Sequence, residues 1–128
     1  MQVNVRSTLV DVAPEAIEQL RDQLRATRWP RTYPDVGWRL GTDLTYLQGL
    51  VHDWSEEFDW WSVQGRLNRF DQVEAVIDGQ PIHAFHQRSP RPDATPLLLV
   101  HGWPGSVIEF IDCIGPLTDP DSFGAPGA

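Results

Sequence analysis

The chain has 128 residues, with ten arginines, no lysine and eighteen acidic residues, for a formal net charge of −8. At 41% hydrophobic and 22% charged residues it is too apolar to be disordered and long enough to bury one core. The acidic balance excludes a nucleic-acid backbone binder, the single Cys113 excludes a disulfide framework or multi-cysteine zinc site, and no apolar run approaches the roughly 20 residues of a membrane span.

The first element predicted is a helix over about 14–28. Pro14 suits its first position, Ile17, Leu20 and Leu24 share a face, and Arg25 and Arg28 suit its last turn. Residues 29–41 read as an extended connector rich in Trp, Pro and Gly, in which Trp29 and Trp38 suggest a segment laid over another surface. A second helix begins at Thr42 or Asp43, with Leu44, Leu47, Val51 and Trp54 on one side. Asp59 caps a third, whose stripe is Trp60, Val63 and Leu67, with Phe58 and Val63 in hydrophobic-staple positions.

The period then changes. Val73, Ala75 and Ile77 alternate, Asp78-Gly79 is a hairpin turn, and Ile82, Ala84 and His86 alternate on the return. A proline-rich loop over 89–96 leads to the run 97–100, which reads as a strand buried on both faces. Ser106-Val107-Ile108-Glu109 is a capping box opening a helix over 106–117, and Cys113 within it is a small packed residue. From Asp119 onward the composition is that of a loop.

Chemistry concentrates in His101-Gly102-Trp103-Pro104-Gly105, between that strand and that helix. Ligands gather at the carboxyl ends of strands in open α/β sheets. Gly102 permits unusual angles and close approach, Pro104 fixes the chain and permits a cis bond before it, and the helix start adds positive potential. Such a turn leaves backbone N–H groups pointing at a developing oxyanion.

The other polar candidates carry little chemistry. His83 and His86 fall on opposite strand faces and do not share a metal; His52 is solvent-facing; Glu56 and Glu57 read as helix surface or cap. No metal site and no cofactor is expected.

These residues resemble a known family. His101-Gly102-Trp103-Pro104 matches the H-G-x-P oxyanion motif of the α/β-hydrolase epoxide hydrolases. The segments WSEEFDWW (54–61), GRLNRF (65–70), Ile77-Asp78-Gly79 with Ile82-His83, and PLLLVHGWPGSVIEF (96–110) resemble the N-terminal region of the microsomal-type branch. The resemblance spans about residues 10–120. It implies an α/β fold, incomplete here: an N-terminal helical arm over 1–70, then the start of a hydrolase domain over 71–128. That start comprises the hairpin, strand 97–100, oxyanion loop 101–105 and helix 106–117.

The resemblance also implies a reaction. An Asp carboxylate opens the epoxide to give an alkyl-enzyme ester, two lid Tyr hydroxyls protonate the epoxide oxygen, and a His activates water to release a vicinal diol. The backbone N–H of Trp103 would be one oxyanion donor, shaped by His101, Gly102, Pro104 and Gly105. The nucleophile and general base of the family lie downstream of the motif, outside these residues. Asp53-Trp54 and Asp59-Trp60 imitate the nucleophile's Asp-Trp context but lack the preceding strand and flanking glycines of an elbow.

A lone buried strand with one hairpin and one following helix needs further partners. The sequence is therefore read as the N-terminal piece of a larger enzyme, inactive by itself and cytoplasmic. Its expected partners are a small-molecule epoxide and the rest of the hydrolase domain with its lid, with no nucleic acid and no membrane. Homodimers through the N-terminal arm occur in similar enzymes. The alternatives are a segment of another α/β hydrolase (an esterase or dehalogenase) and a non-catalytic binding or dimerisation module.

Overall fold

A computed structural model describes residues 4–31, 33–34 and 36–125. Its elements in chain order are β1 (Val5–Thr8), α1 (Pro14–Arg25), α2 (Leu44–Glu56), α3 (Trp60–Leu67), β2 (Gln72–Ile77), β3 (Gln80–Phe85) and α4 (Ile111–Thr118). Short 3-10 turns occupy Gly37–Leu40, Val107–Phe110 and Pro120–Phe123. The chain divides into two compact units, Asp11–Val63 and the combination of Met1–Val10 with Gln64–Ala128. This division differs from the expected 1–70 and 71–128, because the strand near the N-terminus belongs to the sheet.

The helical unit follows the local signals. Pro14 starts α1 at a position whose N–H has no helical partner anyway. The helix ends at Arg25, three residues before the predicted limit. Its last turn tightens, with the Ala26 and Thr27 amides bonded to Asp22 and Leu24, and Arg28 lies beyond. Asp43 caps α2 by accepting from the Tyr46 N–H at 2.9 Å, an interaction typically contributing about 1 kcal/mol. Asp59 accepts from the Trp61 and Ser62 amides at 3.0 and 3.2 Å and so starts α3.

Helices α1 and α2 pack together, burying Ile17 and Ser55. Leu44, Leu47 and Val51 of the predicted α2 face are half-buried, but Trp54 is exposed. The connector is not extended throughout: Gly37, at φ +51°, opens a 3-10 turn that sets Trp38 5.1 Å from Tyr46, ring centre to ring centre.

Arg25 joins the two helices. Its Nε and Nη2 donate to the two carboxylate oxygens of Glu56 at 2.8 and 3.3 Å. That hydrogen-bonded guanidinium holds the Glu56 carboxyl below the usual range and raises Arg25 in turn. A depressed carboxyl pKa contributes stability above its unfolded value and loses it as pH falls through the folded one. Thermal melting between about pH 5 and pH 3 should therefore fall more steeply for the native chain than for Arg25→Ala. The pair is exposed, so the difference should be small.

In the other unit, β1, β2 and β3 form an antiparallel sheet in that order. Asp78 and Gly79 take φ of +50° and +80°, the left-handed pair of a tight hairpin. The register sets Arg6 opposite Glu74, and the Arg6 Nε donates to the Glu74 carboxylate at 3.0 Å. Leu67 is 4% exposed and Ile114 is also buried; Phe70 and Phe85 stack at 5.5 Å.

A polar network ties the sheet to the end of α3. Asn68 Nδ2 donates to the Val10 carbonyl at 2.8 Å, and Asn68 Oδ1 accepts from the Val10 N–H at 3.0 Å. The side chain thus continues β1 as a neighbouring strand would. Gln72, 3% exposed, donates through Nε2 to Asn68 Oδ1 and the Leu67 carbonyl, at 2.9 and 3.0 Å. Gln72 Oε1 is then the acceptor for His83 Nε2 at 2.9 Å, which places a proton on that ring nitrogen.

Two expectations are corrected. Residues 97–100 form no strand, and Leu98 is 85% exposed where burial on both faces was expected. A strand exists only through its ladder, and β1, β2 and β3 pair with one another and not with this run. The helix expected over 106–117 begins as a 3-10 turn and becomes α-helical from Ile111 to Thr118, carrying Pro116 inside it.

Candidate oxyanion turn

The turn over 101–105 stands between the apolar run 97–100 and the 3-10 start of the last helical segment. Gly105 N–H donates to the Gly102 carbonyl at 2.7 Å and closes it. His101 Nδ1 approaches the same carbonyl at 3.3 Å, a contact that requires the proton on Nδ1. The Trp103–Pro104 bond is cis. Ser106 caps the following turn, accepting from the Ile108 N–H at 3.4 Å.

The Trp103 amide makes no hydrogen bond among the described residues, and the Trp103 side chain is 96% exposed. The N–H is thus not consumed by its own backbone, and it sits in a turn whose two ends are pinned together. Such a donor can stabilise negative charge on a reacting oxygen brought to it.

Gly102 and the expected capping box depart from the sequence reading. Gly102 does not take a positive φ, and a Cβ there would meet nothing within 4 Å. Its carbonyl, receiving both Gly105 and His101, is what the turn uses. At Gly105 a Cβ would run into the Glu109 carboxylate and come to 3.0 Å from the Gly102 carbonyl. Glu109 therefore lies against Gly105; among the described residues it does not reach back to the Ser106 N–H as a closed capping box would.

The remaining candidates are spread over separate elements. Asp53 lies within α2 and Asp59 at the start of α3, neither on a strand-to-helix elbow. His52 is exposed, and His83 is engaged with Gln72. Glu57 caps the end of α2, whereas Glu56 is ion-paired. Cys113 Sγ donates to the Phe110 carbonyl at 3.1 Å, a local helical contact. No group of three or more His, Cys, Asp or Glu residues is placed to hold a metal among the described residues, and no helix among them is long and apolar enough to cross a membrane.

In the helical unit, Ile17, Leu20, Leu50, Trp54, Phe58 and Trp60 line an apolar groove of about 610 Å³. Sequence reasoning placed Ile17, Leu20, Trp54 and Trp60 on helix faces but did not foresee the groove, because two faces make one only when α1 and α2 pack. It also missed the role of Asn68, although the GRLNRF segment containing it was singled out.

A hairpin, an apolar run and a turn with an unengaged amide ahead of a helix are the opening of an α/β-hydrolase fold. The chain belongs to the epoxide hydrolase N-terminus family, whose model matches residues 5–110. It is 44% identical over 115 residues to a putative epoxide hydrolase of Stigmatella aurantiaca, covering 90% of this chain and 26% of that protein. It is 34% identical over 125 residues to epoxide hydrolase 1 of Oryctolagus cuniculus, covering 94% of this chain and 28% of that one.

Solved structures agree. The Aspergillus niger epoxide hydrolase superposes with a TM-score of 0.77 at 34% identity, over 85% of this chain and 29% of that chain. The juvenile hormone epoxide hydrolase of Bombyx mori superposes at 0.81 with 27% identity, over 91% and 32%. The chain spans about a quarter of the length of the curated relatives it matches.

Proposed function

We propose that this segment supplies one oxyanion donor, the Trp103 N–H, to an epoxide hydrolase that converts a small-molecule epoxide to a vicinal diol. The observation that carries the reading is the unengaged Trp103 amide within the pinned H-G-W-P turn of a chain in this family. An Asp carboxylate oxygen attacks an epoxide carbon, that carbon's C–O bond breaks, and the freed oxygen takes a proton from lid tyrosines. Water activated by a His then adds to the ester carbonyl. The tetrahedral oxyanion so formed is what the Trp103 N–H meets; collapse returns the carboxylate and the diol. The nucleophile, tyrosines and general base come from the rest of the hydrolase domain.

His101, Gly102, Pro104 and Gly105 hold the donor in place. The exposed Leu97, Leu98 and Val100 and the apolar groove of the helical unit are surfaces for that remaining domain and its lid to cover. Two measurements test the reading. The 128-residue chain alone should hydrolyse styrene oxide no faster than buffer. The full-length protein should turn it over, and rapid quenching with mass spectrometry should find a protein adduct of the substrate's mass. Turnover by the segment alone, or no adduct on the active full-length protein, would overturn it.

A further inference from the structure

We propose that Glu109 is a positioning residue for the oxyanion turn, acting through Gly105. The inference rests on the function proposed above. Its geometric basis is that the Glu109 carboxylate occupies the space a Cβ at Gly105 would need, so the two residues are in direct contact. Gly105 is in turn the residue whose N–H closes the turn onto the Gly102 carbonyl at 2.7 Å. The Gly105 backbone thus meets both the Gly102 carbonyl and the Glu109 side chain.

Glu109 is anchored by the helical start itself, since its own N–H donates to the Ser106 carbonyl at 3.1 Å. It therefore couples the first turn of that helix to the loop carrying Trp103, two residues before Gly105. The carboxylate makes no hydrogen bond among the described residues, so contact with Gly105, rather than capping or ion pairing, is the role its position leaves for it. The same contact accounts for glycine at 105: an alanine would push the flexible end of Glu109 off its seat and crowd the Gly102 carbonyl.

A residue that only positions the oxyanion donor acts on hydrolysis of the ester and not on its formation. In a two-step reaction, slowing the second step alone lowers kcat and KM in proportion and leaves kcat/KM unchanged. A residue that only supports folding lowers the active fraction, so kcat and kcat/KM fall together at constant KM. The test is steady-state and single-turnover kinetics of the full-length protein with styrene oxide, comparing Glu109→Ala, Glu109→Gln and Gly105→Ala.

The expected result for Glu109→Ala is a kcat lower by about tenfold, a fraction of the roughly 10²–10³-fold that outright loss of a donor costs, with kcat/KM held. Glu109→Gln, which keeps the shape, should restore most of kcat, and Gly105→Ala should reproduce the Glu109→Ala pattern. An unchanged kcat in Glu109→Ala, or a loss confined to the active fraction, overturns the positioning role while leaving the epoxide hydrolase reading intact. A native protein that forms no ester removes that reading, and this inference with it.

Discussion

Replacing the Trp103 peptide N–H by an ester oxygen, in full-length protein assembled by ligation, should lower kcat for epoxide hydrolysis by about 10²–10³-fold. The substitution removes one donor and leaves every side chain in place. Because the Trp103 amide bonds to nothing else among the described residues, its loss should barely change the unfolding midpoint. The same exchange at Gly105 provides the contrast. That N–H closes the turn at 2.7 Å, so its removal should loosen the loop and show in stability as well as in rate. Equal kinetic effects at the two positions, or none at Trp103, would show that this amide is not the donor. Quench-flow separates the steps: ester should accumulate in the Trp103 variant, because its formation does not call on the oxyanion donor.

Asn68→Ala should cost about 1.5–4.5 kcal/mol of folding stability, the sum of three hydrogen bonds at roughly 0.5–1.5 kcal/mol each. Two of the three go to the Val10 backbone and the third comes from the buried Gln72. Urea unfolding followed by tryptophan fluorescence measures the shift, and amide exchange locates it. Protection should vanish first along Val5–Thr8, whose register against β2 is continued by the Asn68–Val10 bonds. Gln72→Leu should be damaging by another route, leaving the Leu67 carbonyl and the His83 Nε2 without the partner they now have. A midpoint within experimental error of the native one for Asn68→Ala would mean that the sheet holds β1 without it.

The polar network also explains a pattern visible in the letters alone. The GRLNRF segment carries the family resemblance, yet nothing in its spacing announces a catalytic or binding role. An asparagine just beyond a helix end reads as a turn residue. Only with β1 beside it does its amide become a substitute strand partner, offering one donor and one acceptor to a single residue. The strand itself was equally hidden. Four residues with two exposed polar side chains carry almost no periodicity, and β1 is defined by pairing with residues 64 to 70 positions away.

What the amino-acid order determined by itself is everything that depends on near neighbours. The start of α1 at Pro14, the caps at Asp43 and Asp59, the Asp78-Gly79 hairpin, the H-G-W-P turn and the family it marks were all legible in the letters, because proline, cap carboxylates and left-handed turn pairs act within four residues. Tertiary structure decided the rest: the place of β1, the Asn68–Gln72–His83 network, the seat of Glu109 on Gly105, and the exposed, unpaired state of residues 97–100. Those features depend on which surfaces meet across long stretches of chain. An apolar run specifies that it be covered, but only the arrangement of other elements determines whether anything covers it.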